Sequence, residues 1–178
     1  AAAMMECWVQ PILADPDWNE GRYDPASPPI KGMTQALRLL TLTALSYDVV
    51  GEFGYAAADQ TRHPADSLSN GFKADAMLDE IASARANILD ANSFIYMVRA
   101  FKLYDVRDHL HKSQARYLFL PVETDMVFPP HLSETAVATL RADGLDAELF
   151  MLKSNGGHLG GLTQMDQARG IVGEFLAR

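Results

Sequence analysis

Apolar positions recur at helical spacing through the first part of the chain and give way to short continuous apolar runs toward its end. Met4, Met5, Trp8, Val9 and Ile12 share one helical face, so a short helix is predicted over residues 1–13. Ala14-Asp15-Pro16-Asp17-Trp18 breaks it, and Gly21, Pro25, Pro28 and Pro29 make residues 15–31 an irregular connection. Ala36, Leu37, Leu40, Ala44, Leu45 and Val49 predict one helix from Met33 to Val50, ending near Gly51 and Gly54. The polar stretch 56–72 reads as a flexible excursion. From Lys73 to Tyr104 the pattern predicts two helices parted around Asp90-Ala91-Asn92-Ser93, with Asn92 or Ser93 capping the second.

After Ser113 the texture changes. Residues 115–122 form a run that is apolar on both faces, as expected of a strand buried in a parallel sheet. A helix from Leu132 to Asp143 stops at Gly144, and Ala147 to Leu152 supplies a second strand. These make one β-α-β crossover, for which a right-handed path is the rule. The loop Asn155-Gly156-Gly157-His158 leads to a last helix over Gln164–Leu176, for which Thr163 and Asp166 have capping-box spacing. Two strands cannot cover both faces of a doubly wound sheet, so further strands are expected upstream. A sequence already helical by Met4 agrees with a start inside a fold.

Composition narrows the functional classes. The 178 residues carry 23 acidic and 15 basic side chains, a formal net charge of −8, and show no basic patch, which argues against a nucleic-acid partner. Cys7 is the only cysteine, so neither an intrachain disulfide nor a thiolate zinc site is expected. No apolar run approaches the ~20 residues that span a bilayer, and no basic-then-apolar leader opens the chain. No membrane association is expected, and cytoplasmic residence is compatible with these features.

Asp125 lies just past the end of the first strand and His158 just past the end of the second, placing both at the sheet edge where ligands of open α/β sheets collect. That placement suits a carboxylate that orients an imidazole, which in turn deprotonates a hydroxyl nucleophile. An Asp after a strand is more often a turn or helix cap, and a lone His in a glycine-rich loop is often only structural. Spacing alone leaves both readings open. Asp105, Asp108, His109 and His111 cluster between a helix and a strand, where a solvated connection is the commoner outcome and no metal is expected. Cys7 beside Trp8 reads as helix packing, and His63 and His131 have no visible partner.

Longer words in the sequence decide between these readings. Ala14-Asp15-Pro16-Asp17-Trp18-Asn19, then Gly21-Arg22-Tyr23, Pro28-Pro29 and Lys31-Gly32, resemble the approach to the helical lid of homoserine O-acetyltransferases. Asn92-Ser93-Phe94-Ile95-Tyr96-Met97-Val98-Arg99-Ala100 resembles a lid helix of that family. Thr124-Asp125-Met126-Val127-Phe128-Pro129-Pro130 is similar to its catalytic-Asp motif and Gly156-Gly157-His158 to its catalytic-His motif. The four motifs stand in family order.

The resemblance implies the C-terminal portion of an α/β-hydrolase fold without the N-terminal strands. Residues 1–13 would be a helix of the hydrolase core, 14–112 the helical lid region, and 113–178 the β-α-β-α close of the core. It further implies a Ser-Asp-His acyltransferase that moves an acyl group from acetyl-CoA or another acyl-CoA, bound as co-substrate rather than resident cofactor, to a hydroxyl acceptor. Asp125 and His158 are then catalytic, while the nucleophile belongs to an upstream half. Ser27, Ser46, Ser67, Ser93, Ser113 and Ser133 fall in lid, loop or cap contexts, and no Gly-x-Ser-x-Gly occurs. A homodimer through lid helices is also implied. Two departures set this chain apart from the family it resembles. Leu159 stands after the His where the family places an Asp that can hold an ammonium group, and of the lid Arg and Tyr that contact the amino acid, the first falls at Leu37 or Arg38, with Arg38 then the carboxylate partner, and Ala44 takes the place of the second. An acceptor other than homoserine, or hydrolysis of a carboxylic ester, is therefore expected. Alone, the 178 residues are expected to be poorly folded and catalytically silent; a non-catalytic fragment needing a complementary chain is the alternative of another class.

Overall fold

The computed structural model describes residues 2–178. By packing, the chain divides into two units: residues up to Thr43 with Val50–Tyr104, and Ala44–Val49 with Asp105–Arg178. Helix α1 (Ala2–Leu13) packs against α5 (Ala91–Leu103) within the first unit. Leu110 packs against the cluster around the strands, so residues 105–112 go with the sheet.

In the first unit, α1 buries Met5, Trp8, Val9 and Ile12, which follow one another at helical intervals on a single face. Its end is tied to the start of α2 (Ile30–Ala44) by one buried carboxylate. Asp15 accepts from the N–H of Asp17 (3.0 Å) and, through its other oxygen, from the N–H of Gly32 (2.7 Å). Gly32 is required there, because a Cβ would come within 2.7 Å of the Pro11 carbonyl oxygen and 2.9 Å of the Ile12 Cα. The core is completed by Met33, Ala36 and Leu37 of α2 and by Ala82 and Ala86 of α4 (Lys73–Ala86).

Asn92 does not cap α5. Its side chain accepts from the Trp18 indole N–H (2.9 Å) and donates to the Gly21 carbonyl (2.8 Å), bracing the 3-10 turn Pro16–Gly21. The cap is Asp90, which accepts from the Ser93 N–H (2.7 Å) and from the Tyr23 hydroxyl. Residues 56–72 are closed by an antiparallel bridge between Ala57 and Phe72 and enclose a short turn that His63 caps. The expected helix 33–50 is broken at Leu45-Ser46, because the Ser46 hydroxyl accepts from the Val49 N–H (3.3 Å) and starts α3 (Tyr47–Phe53).

In the second unit, β1 (Tyr117–Phe119) and β2 (Ala147–Leu149) pair in parallel, Tyr117 opposite Ala147 and Phe119 opposite Leu149. Pro121 has no N–H to offer, so regular pairing ends early, yet Leu152 still donates to the Pro121 carbonyl and Val122 bridges Leu152. Strand residues alternate between two clusters. Tyr117, Phe119, Ala147 and Leu149 meet Val137 and Leu140 of α6 (Pro130–Ala142), whereas Leu120, Val122, Phe150 and Leu152 meet Ile171 and Val172 of α8 (Arg169–Ala177). This two-sided burial is the reason β1 is apolar on both faces, whereas β2 carries Glu148, which pairs with Arg178. The last helix is not continuous from Gln164. A short helix α7 (Gly160–Thr163) and a 3-10 turn precede α8, and the expected capping box does not form, since Thr163 donates to the Leu159 carbonyl and Asp166 pairs with Arg169. Among the described residues no helix is long and apolar enough to cross a membrane.

Replacing Asp90 with Ala removes both the α5 cap and the Tyr23 partner, and is expected to destabilise the first unit by about 1 kcal/mol at neutral pH. The Tyr23 hydroxyl and the Ser93 N–H hold the Asp90 carboxyl below its ordinary range. Its contribution is therefore complete above that range and is lost as pH falls through the depressed value. Urea unfolding followed by tryptophan fluorescence should show the wild-type advantage at pH 7 shrinking in strong acid.

Candidate active site

The turn after β1 holds Asp125 by its own side chain. One carboxylate oxygen accepts from the N–H groups of Val127 (2.8 Å) and Phe128 (2.9 Å), and the Asp125 N–H donates to the Val122 carbonyl (3.1 Å). The other oxygen, Oδ2, lies 2.8 Å from Nδ1 of His158. The carboxylate is buried at 8% exposure, and burial of a charge is tolerable here because both oxygens have donors. Facing a carboxylate oxygen, Nδ1 carries the proton, and in the neutral imidazole Nε2 then presents a lone pair. Among the described residues Nε2 makes no hydrogen bond, and the His158 side chain is 41% exposed. The Phe128 ring packs against the imidazole at 5.5 Å between centroids and limits its rotation. A base oriented from behind and open in front is the arrangement needed to take a proton from a hydroxyl.

The loop carrying His158 is fixed as tightly as Asp125. Gly157 has φ +65°, and a Cβ there would come within 2.7 Å of the Ala44 carbonyl oxygen and the Ser46 N. The Ser46 hydroxyl donates to the Asn155 carbonyl, so this serine is committed to the loop rather than presented to His158. Thr124 donates to the Ser154 carbonyl (2.6 Å) and accepts from the Gly157 N–H (3.1 Å), and Ser154 accepts from the Gly156 N–H (2.9 Å). Of these supports, spacing pointed to none; only the glycine pair in the loop hinted at a close backbone approach. An open hollow of about 510 Å³, lined by Tyr47, Asp48, Glu123, Thr124 and Asp125 among others, touches the acid of the pair but not His158.

Other candidate residues sit elsewhere. Arg38 belongs to the first unit, where its guanidinium faces Asp79 (3.0 Å) and Asp75 (3.4 Å) of α4, so its charge is already met by two carboxylates. Cys7 is exposed rather than packed, with its Sγ directed at the Ala3 carbonyl. Asp105 pairs with Arg107 and is pulled down to about 2 by it, while His109 and His111 lie in the following 3-10 turn. No group of three or more potential metal ligands occurs among the described residues.

The geometry and topology together define the class: the described residues have the fold of part of an α/β-hydrolase. Over 98% of the chain they superpose on esterase E22 with a TM-score of 0.89 at 30% sequence identity, covering 50% of that structure. A homoserine O-acetyltransferase from Bacillus anthracis matches 98% of the chain with a TM-score of 0.84 at 22% identity, covering 48% of its own length. No family model matches the sequence. Among curated relatives, the homoserine O-acetyltransferase of Methanosalsum zhilinae is 30% identical over 172 residues, which is 93% of this chain and 35% of the relative. The chain thus spans between a third and a half of the proteins it resembles.

Gly157→Ala would force the His158 loop off the Ala44–Ser46 backbone. The variant is expected to lose about 1–3 kcal/mol of stability and to separate His158 from Asp125. Urea unfolding reads the first effect, and loss of the downfield NMR signal of the His158 Nδ1 proton reads the second.

Proposed function

We propose that this chain supplies the acid and base of a serine-dependent acyl-transfer enzyme. The supporting observation is the 2.8 Å contact between Asp125 Oδ2 and His158 Nδ1, with Nε2 left open. In this reading, Nε2 takes the proton of a serine hydroxyl as its oxygen attacks the carbonyl of an acyl-CoA or ester. The tetrahedral intermediate collapses, the leaving thiolate or alkoxide departs with that proton, and the acyl group remains on serine. An acceptor hydroxyl then surrenders its proton to Nε2, attacks the acyl-serine and regenerates the hydroxyl. Asp125 holds the imidazole in one tautomer and offsets the positive charge that forms on it. The serine and the backbone oxyanion donors come from the part of the fold outside these 178 residues. Acyl-CoA acts as donor, its coenzyme A leaves as the free thiol once the acyl group is on serine, and pairing of lid helices in a homodimer belongs to the same reading.

Transfer to an alcohol is the first reading, and hydrolysis, with water as acceptor, is the second. Two observations favour the second: Leu159 follows His158 where a carboxylate would receive an amino-acid ammonium group, and esterase E22 is a structural neighbour at 30% identity. Arg38, engaged by Asp75 and Asp79, gives little support to a substrate carboxylate site.

With the serine-bearing part of the fold present, His158→Ala is expected to reduce acyl-CoA or activated-ester turnover to background without changing the circular dichroism. Asp125→Asn should cost about 10⁴-fold in kcat by favouring the wrong tautomer. Homoserine should accelerate turnover little, measured as free thiol release with and without acceptor. Efficient homoserine acetylation would overturn the substrate inference and leave the relay standing.

A further inference from the structure

Between the acid and the base lies a second link besides their direct hydrogen bond. Thr124 immediately precedes Asp125, and Gly157 immediately precedes His158. The Thr124 hydroxyl accepts from the Gly157 N–H (3.1 Å) and uses its single proton to donate to the Ser154 carbonyl (2.6 Å). One side chain thus clamps both ends of the segment Ser154–Gly157 to the turn that carries the carboxylate. The other restraints on this loop come from elsewhere: Ser46 holds Asn155 from the α2–α3 junction, and Ser154 holds Gly156 from within the loop. Among the described residues, only the Thr124 hydroxyl bonds the His158 loop to the residue next to Asp125. Without it, a partly buried amide N–H and a carbonyl lose their partner, and the loop can relax away from β1 while Asp125 stays fixed by Val127 and Phe128.

We propose that Thr124 is a positioning residue: its hydroxyl sets the separation and alignment of Asp125 and His158. This inference rests on the relay reading of that pair. A misplacement of about 1 Å in such a relay costs on the order of 10²-fold in rate while substrate binding through other contacts persists.

The test compares Thr124→Val, which keeps the shape and removes the hydroxyl, with Thr124→Ser, which keeps the hydroxyl, in the enzyme that includes the serine-bearing part of the fold. Thr124→Val is expected to lower kcat about 10- to 100-fold with KM changed less than about 3-fold, and Thr124→Ser to recover kcat to within about 3-fold of wild type. The downfield proton signal of His158 Nδ1 should be lost or shifted in the valine variant and kept in the serine variant. Thr124→Ala removes the same hydroxyl without a second methyl, and must show the same split if the valine variant does not fold. A kcat for the valine or alanine variant within about 2-fold of wild type, or a serine variant as impaired as the valine one, overturns the proposal. His158→Ala is run in parallel: unchanged turnover there sinks the relay itself, whereas lost turnover there with full activity in Thr124→Val sinks only the role of Thr124.

Discussion

A carboxylate with both oxygens engaged cannot turn, and the arrangement of the second unit depends on Asp125 being such a carboxylate. Two backbone N–H groups of its own turn hold one oxygen, leaving the other for the imidazole of His158. Burying an ionised carboxyl is costly unless its lone pairs are met, so the turn after β1 must keep the shape that brings the Val127 and Phe128 amides inward. The His158 loop must then come to Asp125. It does so by laying Gly157 against the Ala44–Ser46 backbone at a distance that excludes any side chain. Parallel pairing of β1 with β2 sets the two turns side by side, and the clusters under α6 and α8 hold that pairing.

Much of this was legible in the residues. The apolar run of β1, Gly144 ending α6, and the placement of Asp125 and His158 after consecutive strands follow from periodicity and turn chemistry, and the observed parallel pairing agrees. The structure departs from the expected elements where a polar side chain takes a partner other than the one its spacing suggests. Asn92 has ideal capping chemistry but bonds Trp18 and Gly21 across 74 and 71 residues, leaving the cap to Asp90. Ser46 sits inside an unbroken apolar period, and its bonds to Val49 and Asn155 explain a break that no period count contains. Thr163 and Asp166 have capping-box spacing, but their bonds go to Leu159 and Arg169.

The first unit shows a related economy. Asp15, Trp18, Gly21, Tyr23 and Gly32 belong to words that resemble the lid approach of homoserine O-acetyltransferases, and in the structure they tie α1, α2 and α5 together. Those words therefore report how the helices are joined, not what is bound. The proposed chemistry rests on fewer residues, chiefly Asp125, His158 and the Leu159 that follows it.

The claim that this chain gives the relay but not the nucleophile is open to a direct chemical measurement. A fluorophosphonate, which phosphonylates a serine only when a base activates it, is applied to the enzyme assembled from this chain and the serine-bearing part of its fold. The adduct is then located by peptide mass spectrometry. The account predicts a single labelled serine outside the 178 residues, with labelling abolished by His158→Ala. Labelling of Ser46 or any other serine within this chain, or labelling indifferent to His158, would contradict it.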